Sequence, residues 1–118
     1  MATTSTDRSE WSRLTDRLSA DSAGHDVSIE VLDPSGGDNP LVDRLPFGSI
    51  TYAPKDDVLV VSVGGGAPDE PVVLRHLVAH PQELVFDLVP HGAALKVTDA
   101  AGGTTLVSLL RRGAPSPR

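Results

Sequence analysis

The spacing of apolar residues predicts one amphipathic helix near the N-terminus. Trp11, Leu14 and Leu18 are separated by three and four residues, so they would form one apolar stripe between about residues 9 and 21. A helix with a single apolar stripe must lie against another element. The rest of the sequence indicates that this element is a β-sheet.

Alternation with a two-residue period predicts several strands after the helix. Residues 26–32 alternate apolar and polar side chains, as a half-buried strand does. Further extended segments are predicted at residues 41–45, 48–53 and 58–63, and Pro54–Asp57 would form a hairpin loop between the last two. The segment at 58–63 is apolar on both faces, so we expect it in the interior of the sheet.

A second, short helix is predicted before residue 81. Asp69, Glu70 and Pro71 are typical of a helix N-terminus, where acidic residues and proline are favoured. Pro81 disfavours helical geometry at the residue before it, so this helix would end at about His80.

Two consecutive hairpins are predicted in the last third of the chain. A two-residue turn at His91–Gly92 would pair apolar residues on one face and opposite charges on the other. The resulting partners would be Leu88 with Leu95, Phe86 with Val97, and Asp87 with Lys96. A second turn at residues 99–103 leads into a last strand at 104–110.

Together these elements predict an α+β fold. It would contain a largely antiparallel sheet of about six to seven strands, the N-terminal amphipathic helix, and the second short helix before the C-terminal hairpins. Antiparallel pairing is favoured because the chain has no long helical crossovers. We expect a flexible N-terminus at residues 1–8, a single α+β domain at residues 9–111, and a disordered tail at residues 112–118.

Composition narrows the possible functions. The 118 residues include no Cys and carry a net charge of −6. Without Cys, the chain has no disulfide, thiolate nucleophile or zinc–cysteine site. An acidic chain lacks the basic surface that nucleic acids require, so no nucleic-acid partner is expected. No signal-like or membrane-spanning apolar segment is evident, so we expect a soluble, cytoplasmic protein without a membrane partner.

Two motifs resemble a known protein family. They are GSITYAPKDDVL at residues 48–59 and HLVAHP at residues 76–81. The resemblance extends from Arg8 to about Arg111. In these segments the chain resembles a family of small bacterial proteins known only as a domain of unknown function. The resemblance implies no catalytic residue, substrate or cofactor.

His76 and His80 are the candidate metal ligands. Their four-residue spacing would place both imidazoles on one side of a helix, as a metal site can require. However, no Asp or Glu accompanies them in that helix, and a third ligand would have to come from elsewhere, such as His25 or His91. We therefore predict no metal or other cofactor, and a partly buried, hydrogen-bonded His76.

The other candidates for a ligand or interaction surface are Trp11, Tyr52, Asp56 and Asp57, with His76 again among them. Adjacent carboxylates can perform acid–base chemistry if one is desolvated and its pKa rises. Because Asp56 and Asp57 lie in a hairpin loop, a structural role in the turn is favoured. Trp11 and Tyr52 are predicted to fill the core.

These observations favour a non-enzymatic accessory or protein-interaction domain, whose partner is a second copy in a homodimer or an unknown protein. The last strand, 104–110, has no charge and no proline, so it would invite pairing if it formed an exposed edge. The alternative is a small-ligand or metal-binding protein that uses His76, His80 and the Asp56–Asp57 turn. An enzyme is the least favoured hypothesis, because no pair of nucleophile and base is recognisable.

Overall fold

The computed structural model describes residues 3–65 and 68–113. These residues form one helix and eight strands: β1 (Thr3–Ser5), α1 (Arg8–Asp21), β2 (Asp26–Leu32), β3 (Asp38–Ala53), β4 (Val58–Gly64), β5 (Val72–Ala79), β6 (Pro81–Val89), β7 (Gly92–Asp99) and β8 (Thr104–Leu110). No helix in this part of the chain is long and apolar enough to cross a membrane.

The strands form one sheet in the order β1-β6-β7-β8-β2-β3-β4-β5, and every neighbouring pair is antiparallel. The predicted antiparallel sheet is therefore confirmed, although it has eight strands rather than six or seven. Residues 3–5, within the predicted flexible N-terminus, form β1. Residues 114–118 of the predicted tail lie outside the described residues.

The prediction of a second helix is wrong, because residues 72–79 form strand β5. Val72, Val73 and Val78 are β-branched, and such residues favour strands over helices. The segment pairs along its length with β4, which is apolar on both faces. Asp69 and Glu70 lie in the turn before the strand rather than in a first helical turn.

Strand β3 bends the sheet. Its first half, residues 38–46, pairs with β2, whereas residues 47–53 pair with β4. The register shifts between Phe47 and Ser49, and a side chain at Gly48 would overlap the carbonyl oxygen of Gly64. The segments predicted at 41–45 and 48–53 are thus two parts of one strand.

The bend brings β5 close to β8, although three strands separate them in the sheet. His76 Nε2 on β5 lies 3.4 Å from Thr105 Oγ1 on β8. The concave side of the curled sheet encloses the core, which is mainly aliphatic with Trp11, Phe47 and Tyr52 as its aromatic members.

Helix α1 contributes two side chains of the predicted stripe to this core. Trp11 and Leu18 are buried, but Leu14 is 38 % exposed and Thr15 takes the buried position between them. The helix begins after Asp7, whose carboxylate accepts a hydrogen bond from the amide of the second helical residue.

The same helix covers one edge of β3. The Ser19 hydroxyl accepts a hydrogen bond from the Ile50 amide at 2.8 Å and donates one to the Ile50 carbonyl at 2.7 Å. The Ser12 hydroxyl donates to the Tyr52 carbonyl at 3.4 Å. These contacts satisfy backbone groups of β3 on the side opposite β4.

The C-terminal hairpin has a register two residues away from the predicted one. Its turn is Pro90–His91, and His91 has a φ of 69°, the positive value that a type II turn requires at the residue after proline. The observed pairs are Leu88 with Ala93, Phe86 with Leu95, and Asp87 with Ala94. A shift of two residues keeps every side chain on its predicted face, but Asp87 is opposite Ala94 rather than directly opposite Lys96.

Strand β8 lies between β7 and β2, in the interior of the sheet. Residues 104–110 therefore do not form an exposed edge, because both sides of the strand are hydrogen-bonded within the domain. The uncharged last strand thus gives no support to a homodimer. The two outermost strands are β1, which has three residues, and β5, which has eight.

Candidate functional site

The structure brings Asp57, but not Asp56, into a polar cluster. Asp57 Oδ1 accepts hydrogen bonds from the Tyr52 hydroxyl at 2.7 Å and from Arg8 Nε at 3.2 Å. Asp57 Oδ2 lies 3.2 Å from Nδ1 of His80. We call these four residues the Asp57 cluster. Asp56 is exposed in the hairpin loop.

The backbone holds the members of the Asp57 cluster together. Asp57 is the last residue of the loop between β3 and β4, and His80 links β5 to β6. Both residues have positive φ angles, 50° and 53°, which Asp and His adopt more readily than most other residues. The His80 amide donates to the Asp57 carbonyl at 2.8 Å, so the two turns are joined directly.

Hydrogen bonding keeps Asp57 ionised. The Tyr52 hydroxyl, with help from His80 and Arg8, lowers the pKa of the Asp57 carboxyl below its usual 3.8. Burial and the nearby carboxylate raise the pKa of Tyr52 above 10.0. A carboxylate that is ionised at neutral pH and already accepts several hydrogen bonds has no proton to donate there and is a weak base.

The Asp57 cluster therefore fastens separate parts of the fold to one another. Arg8 begins α1, and its Nη2 also donates to the Pro81 carbonyl at 2.9 Å. The Arg8 guanidinium lies over the Trp11 ring, 5.3 Å from its centre. One arginine thus links the helix to the start of β6 as well as to the hairpin loop.

Trp11 and Tyr52 belong to the core. Their exposed fractions are 0 % and 6 %, and their rings meet edge to face with centres 5.2 Å apart. Trp11 Nε1 donates to the Ser5 hydroxyl at 3.1 Å, so its polar atom is also satisfied. Neither ring is available to a partner on the surface.

His76 and His80 do not converge. Residues four apart in an extended strand are separated by about 13 Å. His76 lies on the core-facing side of β5, where burial lowers its pKa below 6.5, whereas His80 is exposed and contacts Asp57. Within residues 3–65 and 68–113, no group of three His, Asp or Glu side chains could hold a metal ion.

The described residues also line two clefts away from the Asp57 cluster. An apolar groove of about 310 Å³ lies between α1 and strands β6 and β7, and the hydroxyls of Ser5 and Thr15 in its wall are already hydrogen-bonded. A larger open cleft of about 1040 Å³ lies over β2, β3 and β8. Its Arg44 is 3.6 Å from Asp26 Oδ2, so the arginine charge is already paired.

The open edge of β5 is the most distinctive surface feature. By this name we mean the side of β5 that faces away from β4, where no described strand pairs with it. Four large apolar residues of the strand are exposed to solvent: Val72, Val73, Leu74 and Leu77. Val73 and Leu77 are 63 % and 60 % exposed, and Arg75 is the one side chain of the strand that is charged at every physiological pH.

The sequence contained a signal for this edge. Val72, Val73 and Val78 are β-branched, and such residues favour strands over helices. The role of Arg8 in the Asp57 cluster had no such signal, because it depends on contacts across 49 and 73 residues of chain.

Comparison with known proteins agrees with the resemblance seen in the two motifs. A family model described as a family of unknown function, DUF5335, matches residues 2–117. An uncharacterized protein of Aquifex aeolicus (strain VF5) is 31 % identical over 87 residues, which cover 74 % of this chain and 72 % of that protein. No solved structure matches significantly. The chain belongs to the DUF5335 family of unknown function.

Proposed function

We propose that the protein is a non-enzymatic interaction domain that binds an extended strand along the open edge of β5. The observation that carries this proposal is an eight-residue edge strand with four exposed, large apolar side chains. Backbone groups along such an edge can pair with another chain, and the side chains then determine which chain is accepted.

The other edge stretches of the described sheet are short, covered, or interrupted by proline and charged residues. Residues 38–46 of β3 pair with β2 alone, and this stretch contains Asp38, Pro40, Asp43, Arg44 and Pro46. β6 extends beyond its pairing with β1 by three residues at each end. β1 has three residues, and the serine hydroxyls of α1 bond to the second half of β3. β5 has little of the usual protection. It contains no proline, and its one residue with a permanent charge, Arg75, points away from the core. An edge of this kind is favourable for an intermolecular strand.

The chemistry of the Asp57 cluster supports a binding function over catalysis. Its carboxylate is ionised and accepts hydrogen bonds from Tyr52 and Arg8, and its histidine contacts the same carboxylate. These residues hold α1 and two turns in place. One of these turns, at His80, ends β5, so the cluster also fixes one end of the proposed binding edge.

A synthetic peptide with the sequence of residues 71–80 tests this proposal. We expect it to shift the amide NMR signals of β5 most and those of β4 next, because a strand added to the edge changes the hydrogen bonding there. A control peptide with proline at the positions of Leu74 and His76 lacks two of the backbone donors and should cause no shifts. Shifts confined to the α1–β6 groove, or none at excess peptide, would overturn the proposal.

A further inference from the structure

We propose that the strand bound at the open edge of β5 is β5 of a second copy, which gives a two-fold symmetric dimer with one continuous sheet. This inference rests on the proposed function and names its partner. A two-fold axis places the same strand on both sides of the interface, antiparallel to itself. Of the two outermost strands of the described sheet, β5 is the one of ordinary length.

The two faces of β5 restrict how the copies can pair. Leu74, His76 and Val78 are opposite core residues of β4, whereas Val73, Arg75 and Leu77 alternate with them on the outer face. In a continuous antiparallel sheet, directly opposed residues point to the same face. The numbers of each pair of opposed residues must therefore add to an even number.

Two symmetric registers satisfy this condition and pair seven of the eight residues of β5. In one, Arg75 lies opposite Arg75 of the second copy, and like charges directly opposite each other are unfavourable. In the other, His76 lies on the two-fold axis, and residues 73–79 pair with residues 79–73. This register places Leu74 opposite Val78, Arg75 opposite Leu77, and Val73 opposite Ala79. We assign the dimer to the register centred on His76.

The surroundings of His76 are compatible with this position. The ring is half-buried on the inner face, its Nε2 lies 3.4 Å from the uncharged Thr105 hydroxyl, and burial favours its neutral form. Two imidazoles facing each other would therefore not repel at neutral pH.

Charge and length also favour a second copy. Each chain carries a net charge of −6, so two copies approach with least repulsion where neither has an acid, and β5 contains none. Pro71 and Pro81 bound the strand on both sides. Because proline cannot donate a backbone hydrogen bond, a partner strand with the same bounds fits the same stretch of the edge.

Single-cysteine variants test the register, since the natural chain has no Cys. Opposed residues in an antiparallel pair have Cα atoms about 4.5–5.5 Å apart, which is within disulfide range. Under mild oxidation, we expect His76→Cys to form a disulfide dimer that reductant dissolves. Arg75→Cys alone and Leu77→Cys alone should each form several-fold less disulfide dimer than His76→Cys. A mixture of Arg75→Cys and Leu77→Cys should crosslink, and this arm does not alter His76.

The outcomes separate this inference from the proposed function. Strong crosslinking of Arg75→Cys by itself, with none for His76→Cys, would overturn the register. Absence of crosslinks in every arm would overturn the second copy as partner. In either case, the proposal that β5 binds an extended strand would still hold if the peptide of residues 71–80 shifts the β5 amide signals. If the peptide causes no such shifts, that proposal is overturned as well.

Discussion

At the residue scale, Tyr52 makes the shortest contact in the Asp57 cluster. Its hydroxyl donates to Asp57 at 2.7 Å, although the residue as a whole is buried and only 6 % exposed. The hydrogen bond joins a core aromatic residue of β3 to the loop that follows it. Small changes at this ring should therefore be measurable in the stability of the whole fold.

We predict that Tyr52→Phe lowers the free energy of unfolding by about 1–2 kcal/mol at pH 7, because a hydrogen bond to a charged group is lost. The folded-state pKa of Asp57 lies below 3.8, so its contribution is present above pH 3.8 and is lost as the pH falls below that value. The variant should lose less stability between pH 5 and pH 3 than the wild type. Urea unfolding at both pH values measures this, with Thr51→Val as the control. An equal loss of unfolding free energy between pH 5 and pH 3 in Tyr52→Phe and the wild type would contradict the assigned role of Tyr52.

His76 should make stability depend on pH in a different range. Burial lowers its folded-state pKa below 6.5, so the unfolded chain binds the proton more readily than the folded chain. Its contribution is complete above pH 6.5 and is lost as the pH falls from 6.5 to the folded-state pKa.

We predict that His76→Gln flattens the change in unfolding free energy between pH 7.5 and pH 5. The comparison is best made by urea unfolding in a Leu77→Lys background, which removes any contribution from association at β5. His25→Gln in the same background is the control. An unchanged pH dependence after His76→Gln would show that the imidazole is not the group responsible.

Part of the candidate site could be predicted at this scale. The motif that contains Tyr52, Asp56 and Asp57 includes the loop at which the Asp57 cluster forms. The structural role in the turn that is expected for the Asp pair stays a prediction, because the observed partners of the Asp57 carboxylate lie outside the turn. The contact between Asp57 and His80 could not be predicted, because it depends on two positive φ angles in turns 23 residues apart. The spacing of residues within one segment of the sequence does not indicate a contact between side chains of two separate turns.

At the element scale, the bend of β3 depends on a close approach of two backbones. A Cβ atom at Gly48 would overlap the carbonyl oxygen of Gly64 and lie 2.9 Å from that of Ser62. The surrounding atoms belong to the backbone of β4, so they cannot move aside as a flexible side chain would.

We predict that Gly48→Ala lowers the free energy of unfolding by about 1–3 kcal/mol, the usual cost of an overpacked site. Ser49→Ala, one residue away on the same strand, should change it by less than about 0.5 kcal/mol. Urea unfolding of both variants provides the comparison. Equal effects of the two substitutions would contradict the close approach of β3 and β4 at Gly48.

The elements differ in how far the sequence predicted them. The helix stripe placed Trp11 and Leu18 in the core, and the hairpin loop at Pro54–Asp57 was predicted where it lies. Strand β5 was mistaken for a helix, because an acidic turn followed by proline resembles a helix start. The register of the β6–β7 hairpin was wrong by two residues, since every even shift preserves the apolar face.

At the scale of the whole molecule, the arrangement of edges could not be predicted from the sequence. Residues 104–110 are uncharged because β8 is buried between two strands, not because its edge is open. Strand order depends on contacts between distant segments, and the decisive one is the pairing of β8 with β2. The same order leaves β5 as the long outer strand.

Sedimentation of the purified protein over a wide concentration range tests the claim that β5 is the interaction edge. We predict that the wild type forms dimers and that Leu77→Lys is a monomer. Leu88→Lys, at a more exposed apolar site on β6, should still dimerise. A monomeric wild type at every concentration, or a dimer that Leu88→Lys breaks and Leu77→Lys does not, would contradict this account of the protein.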